Sequence, residues 1–204
     1  MKVNVRKAQQ AAKEAEMAEQ TSKVIEYVEA LGCQFCRDLR GFGKARLNRL
    51  MRGAYVEMME YYEHYGGEVE KGILVDEVPT LYIGLRNQVK CLDVPVDEIE
   101  EGASFSPEFA GWRNETDRMM RRFRHGEIER KEKVVRSFWY AMMVYLWHTY
   151  GWGQVRLSNF YRTVQFRYRT AMGYYLECRS REDALVNTEL DVTVEAIKKL
   201  GVEL

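Results

Sequence analysis

Proline is scarce in this chain, with three residues in 204. Each proline removes a backbone donor and breaks a helix interior, so only Pro79, Pro95 and Pro107 interrupt what is otherwise free to be helical. Net charge is missing as well. The 31 basic residues balance 31 acidic ones, and no whole-molecule field draws the protein to nucleic acid or to a membrane surface. Long hydrophobic runs are absent too: the longest, Phe138–Trp147, has ten residues, about half of the roughly 20 that a spanning helix needs. The start is charged (Lys2, Arg6, Lys7, Lys13, Glu14, Glu16) with no apolar stretch, unlike a secretory signal. Four cysteines at irregular spacing make no disulfide framework. A cytoplasmic protein without membrane association is the expectation.

Chemistry-bearing groups are equally thin. The three histidines, His64, His125 and His148, fall within helical patterns, and none stands beside a Ser, Cys or Asp set that suggests a triad. The Glu-x-x-His pairs of di-iron bundles are missing. Cys33-x-x-Cys36 has half the spacing of a zinc site, but its nearest further ligands, His64 and Cys91, have no paired spacing. A redox motif would sit between a strand and a helix, whereas these two thiols sit within a helical pattern. We therefore expect buried thiols, no metal, no cofactor and no enzymatic activity.

What the chain does have, it writes twice. Gly41-Phe42-Gly43-Lys44-Ala45-Arg46-Leu47-Asn48-Arg49-Leu50 is echoed by Gly151-Trp152-Gly153-Gln154-Val155-Arg156-Leu157-Ser158-Asn159-Phe160. Further on, Val89-Lys90-Cys91-Leu92-Asp93-Val94-Pro95-Val96 is echoed by Ile197-Lys198-Lys199-Leu200-Gly201-Val202-Glu203-Leu204 at nearly the same separation. Two matched anchors in one order read as an internal duplication.

The remaining pattern is helical. Val24, Tyr27, Val28, Leu31, Phe35 and Leu39 recur at three- and four-residue steps, one stripe of an amphipathic helix. Gly41 ends it as a left-handed cap. A second helix buries Leu47, Leu50, Met51, Ala54 and Met58 and stops at Gly66-Gly67; a third, begun near Pro79, carries Leu81, Tyr82, Leu85, Val89 and Leu92. Ile73-Leu74-Val75 is a strand hint too short to count. Residues 112–150 read as helical with a break near His125-Gly126, followed by a helix with Leu157, Phe160, Tyr161, Val164, Tyr168 and Met172, and a last one over Val192–Leu200. The fold expected is all-α: two tandem three-helix repeats with a pseudo-two-fold relation, plus an extended N-terminal helix. The divisions are 1–96, an acidic linker at 97–111, and 112–204. Asp93–Gly111 holds six acids and no base.

Three surfaces are candidates for contact. Each Gly-aromatic-Gly corner leads into a helix N-terminus with an Arg one turn inside, which suits an anion, or else is a tight corner with its aromatic wedged between helices. The corners also have helix-turn-helix connectivity. The later helix suits recognition better, since Arg156, Asn159, Arg162 and Arg169 reach phosphates and base edges; Arg46 and Arg49 are the counterparts in the first. The aromatic run, with Trp139, Trp147 and Trp152, exceeds what one helix face can bury, so any exposed remainder would be a protein-binding or self-association patch.

The Gly-Phe-Gly-Lys-x-Arg-Leu element, preceded by an apolar helix and followed at a distance by Leu-Gly-Val-x-Leu, resembles small uncharacterised phage and prophage proteins of Gram-positive bacteria, here in tandem duplicate. The resemblance covers Val24–Val96 and Val134–Leu204. It implies a mobile-element accessory protein that inhibits a host defence effector, in the manner of an anti-CRISPR protein, by binding a host protein or nucleoprotein complex. A DNA-binding regulator and a nucleotide-sequestering sponge are the other readings, with nucleic acid as partner in the first. Homo-oligomerisation is an open expectation.

Overall fold

The apolar stripe of residues 24–40 forms helix α1. Tyr27, Val28, Leu31 and Phe35 are buried as the spacing predicts, joined by Ala30, Cys33 and Cys36. Leu39 does not follow its stripe and is 55% exposed. It lies in the last turn, where the reversal at Gly41 brings Phe42 against the core in its place. The computed structural model describes residues 24–65, 78–102, 125–180 and 189–204. These hold seven helices and no strand: α1, α2 (Lys44–Tyr65), α3 (Val78–Cys91), α4 (Val96–Gly102), α5 (His125–Tyr150), α6 (Gln154–Ser180) and α7 (Glu189–Lys199). The expected N-terminal helical lead-in, the Ile73–Val75 hint and residues 112–124 lie outside the described residues.

Helix α5 is the axle. From Val135 to Leu146 its apolar and aromatic side chains are buried nearly all round, Phe138, Trp139, Tyr140, Met142 and Met143 among them, which requires neighbours on several sides. It packs chiefly on α2 and α3, and also on α6. Against α1 the approach is close enough that a Cβ on Gly32 would lie 2.5 Å from the Met142 sulfur, and against α2 a Cβ on Gly53 would lie 2.0 Å from the Tyr145 ring. The Trp139 indole N–H donates to the Val28 carbonyl at 3.3 Å, so the largest buried side chain leaves no orphan donor.

The stretch expected as a linker begins as a helix. Pro95 accepts at its carbonyl from the Ile99 amide at 3.0 Å, and Asp97 and Glu98 occupy the first turn of α4, where carboxylates oppose the positive end of the dipole. Val96 and Ile99 are 1% and 4% exposed. Their burial holds the acid-rich segment against the core, which its composition alone does not reveal. The remainder, 103–111, lies outside the described residues.

Candidate binding surface

Two backbone corners set the geometry. At Gly41 (φ 64°) the amide donates to the Arg37 carbonyl at 2.9 Å and the Phe42 amide to Cys36 at 3.2 Å. At Gly151 (φ 62°) the amide donates to Trp147 at 3.0 Å and the Trp152 amide to Leu146 at 3.3 Å. Both are left-handed helix caps, a conformation in which a Cβ would crowd the following carbonyl. Gly43 then accepts from Arg46 and Leu47, as Gly153 does from Arg156 and Leu157, so residues 41–47 and 151–157 share one hydrogen-bond pattern. The later echo behaves alike. Asp93 (φ 59°) and Gly201 (φ 75°) both turn left-handed, with amides donating to Lys90 and Lys198.

The corners adjoin. Phe42 and Trp152 are buried, with ring centroids 6.2 Å apart. Phe42 packs on Tyr150 at 4.9 Å, while Arg40 lies over Trp152 at 5.6 Å and Arg46 over Phe42 at 5.7 Å. The crossing repeats at the far turns, where the Gln154 amide donates to the Asp93 carbonyl at 2.6 Å and Lys44 lies against Gly201.

The expected contact residues divide by burial. Arg46, Arg49, Arg156, Asn159 and Arg162 are exposed. Among the described residues Arg156 and Arg162 have no acidic partner, while Arg49 hydrogen-bonds the Ala45 carbonyl at 3.3 Å. Arg169 is half-buried and already engaged. Trp147 is 40% exposed and lies tilted at 4.5 Å against the ring of His148, whose Nδ1 pairs with Glu57 at 3.0 Å. Trp139 and Trp152, at 1% and 3%, are interior and offer no surface to a partner. The aromatic surplus belongs to α5's contacts on all sides; Trp147 is its one described tryptophan with a substantial outer face.

Two interior carboxylates, Glu100 and Glu29, hold helices together. Glu100 on α4 accepts from the Tyr140 and Tyr161 hydroxyls (2.8 Å for Tyr161) and faces Arg86 at 3.1 Å and Arg136 at 3.5 Å. Burial pulls its carboxyl up, but the Tyr140 hydrogen bond, the Arg136 charge, the Tyr161 hydrogen bond and Arg86 together hold it below the usual carboxylate range. Burial first, then Tyr161 and Glu100, push the Tyr140 hydroxyl far up. Glu29 is buried and accepts from the Tyr55 hydroxyl at 2.5 Å; burial raises its carboxyl despite that bond. Sequence reasoning missed both clusters because their members lie far apart along the chain. Cys33 and Cys36 are free and buried, and burial pushes the Cys36 thiol up to about 12, so neither carries thiolate character. No group of three metal-ligating side chains occurs among the described residues, and no described helix is long and apolar enough to cross a membrane. No family model, curated protein or solved structure matches this chain.

Proposed function

We propose that this chain is a non-enzymatic binding protein built by tandem duplication of a three-helix unit, with its working surface at the adjoining corners and the outward sides of α2 and α6. The observation that carries this reading is the contrast between the interior carboxylates and the surface arginines. Glu29 and Glu100 are consumed by hydrogen bonds that join helices, whereas Arg156 and Arg162 stand exposed and without an acidic partner among the described residues. The duplication is supported by the shared corner geometry and by crossed contacts: Phe42 on Tyr150 against Arg40 on Trp152, and Gln154 at Asp93 against Lys44 at Gly201. Reciprocal pairing of this sort is what a two-fold relation generates.

The resemblance to phage proteins makes inhibition of a host defence effector the biological reading. Expressing the chain in cells with an active nuclease-based defence should restore infection, and an Arg156→Glu, Arg162→Glu variant should not. Reversal at Glu195, on the exposed side of α7, should leave the effect intact. Unchanged defence in every system tried, together with unimpaired phage growth on deletion, would reject this reading.

A further inference from the structure

The basic residues of this neutral chain concentrate in two stretches. Residues 37–52 and 150–170 hold ten basic residues and one acid, Asp38, and Asp38 is already paired with Arg37 at 2.8 Å. The adjoining corners bring the starts of α2 and α6 together. The nearest acids belong to the flanking turns, with Asp93, Asp97 and Glu98 beside Gln154 and Glu203 beside Arg52, and of these Asp97 is paired with Lys90 and Glu203 with Arg52. Four cations of the set are engaged elsewhere or closely held: Arg37 by Asp38, Arg52 by Glu203 at 3.4 Å, Arg167 by Gln34 at 2.9 Å, and Arg169 by a further contact. Arg40 and Arg46 lie on buried aromatic rings, which fixes where their charge stands without neutralising it. Arg156 and Arg162 project from α6, whose stretch from Gln154 to Thr170 contains no acid. Neither α2 nor α6 has an acid in its first turn, so the positive ends of both helix dipoles reinforce the same field.

From this geometry we infer that the corner end is a nucleic-acid contact surface that grips the phosphate backbone and does not read sequence. The inference rests on the binding-protein reading above and supplies its partner. Charge complementarity selects the occupant: a dense row of phosphates suits the exposed cations Arg46, Arg49, Arg156 and Arg162 around the adjoining helix starts, and each neutralised phosphate releases counterions. Spacing excludes the two-half-site alternative. Dimeric helix-turn-helix proteins place their recognition helices about 34 Å apart along the duplex. Here α2 and α6 spring from corners whose rings are 6.2 Å apart, so the two helix starts form a single patch. Guanidinium groups free to reorient satisfy phosphates of any sequence, and such contacts position a protein without specifying bases.

The test uses the full chain and a 20-base-pair DNA duplex of arbitrary sequence, titrated between about 50 and 200 mM salt. Binding should weaken steeply with salt and should be alike for unrelated sequences. Arg156→Gln with Arg162→Gln removes two phosphate contacts, which lowers the salt slope by about 2 and shrinks the affinity loss over that salt range by about tenfold. Both side chains are exposed, so helix content by circular dichroism should not change; Val192→Ala, at a 55% exposed position at the start of α7, serves as a surface variant away from the corners and should leave the slope unaltered. No duplex binding at 50 mM salt, binding indifferent to salt, or a slope unmoved by the double variant overturns the inference. If the double variant instead abolishes defence inhibition while the wild type binds no duplex, the surface takes an acidic protein, and the binding-protein reading stands without this partner.

Discussion

Gly41 and Gly151 show how much a single backbone position decides. Each sits at positive φ with open space where a Cβ would go, so an alanine there meets no neighbour and is penalised by its own backbone alone. Gly41→Ala and Gly151→Ala should therefore each cost about 1 kcal/mol or somewhat more in chemical denaturation. Gly43→Ala and Gly153→Ala, with open space and no positive φ, should cost clearly less. Unequal effects at Gly41 and Gly151 would argue against equivalent corners. Glu29 is the other decisive residue. Because its carboxyl is raised by burial above the usual 4.5, the folded state holds the proton more tightly than the unfolded state. Stability is then gained as pH falls toward 4.5 and lost as pH rises through the raised folded value. Glu29→Gln keeps an acceptor for Tyr55 and has no charge to bury, so it should unfold at higher temperature than the wild type at pH 7 and match it below about pH 4.

Between elements, Glu100 is the principal polar tie, joining α4 to α3, α5 and α6 through Arg86, Tyr140, Arg136 and Tyr161. Its side chain is 10% exposed, so the partners it would abandon are largely shielded from water. Glu100→Ala should cost about 3 kcal/mol or more, the scale for breaking a buried charge pair from one side. Tyr161→Phe, which removes one donor and leaves an oxygen that others still satisfy, should cost about 1–2 kcal/mol. The carboxyl is held below the usual 4.5, so the stability it provides is fully present above that value and is lost as pH falls through its lowered folded value. Acid denaturation monitored by far-ultraviolet dichroism should accordingly steepen below about pH 4 in the wild type and flatten there in Glu100→Gln.

At the scale of the molecule, the two halves have no separate cores. Phe35 of α1 packs edge-on against Phe160 of α6 at 5.3 Å, Tyr55 of α2 against Phe138 of α5 at 5.5 Å, and Tyr27 of α1 donates to Asp191 of α7 at 2.7 Å. Apolar residues from both halves form one cluster. Unfolding should therefore be a single cooperative transition, with tryptophan fluorescence and helix dichroism coincident in urea. Two resolved transitions would show that the halves fold as independent units.

The sequence by itself determined the helices and their punctuation. Low proline content, apolar residues at three- and four-residue steps and Gly41 and Gly151 specify that α1, α2, α5 and α6 are helices, where α1 and α5 stop and where α2 and α6 start, because helix period and left-handed caps are local properties of the chain. It also disclosed that the same corner is written twice. Tertiary structure alone decided which members of that pattern face solvent. Trp139 and Trp147 belong to one aromatic run, yet the first is sealed beside Val28 and the second is outside, since burial depends on which helix lies opposite. The acid-rich start of α4 looks like a linker in composition, and only the presence of Tyr140, Tyr161, Arg86 and Arg136 around Glu100 makes it part of the core. Charge balance is zero for the whole chain; the packing of Phe42 against Trp152 is what sets the starts of the two basic helices side by side. Coulombic attraction depends on distance in space, and distance in space is what the linear order of residues does not contain.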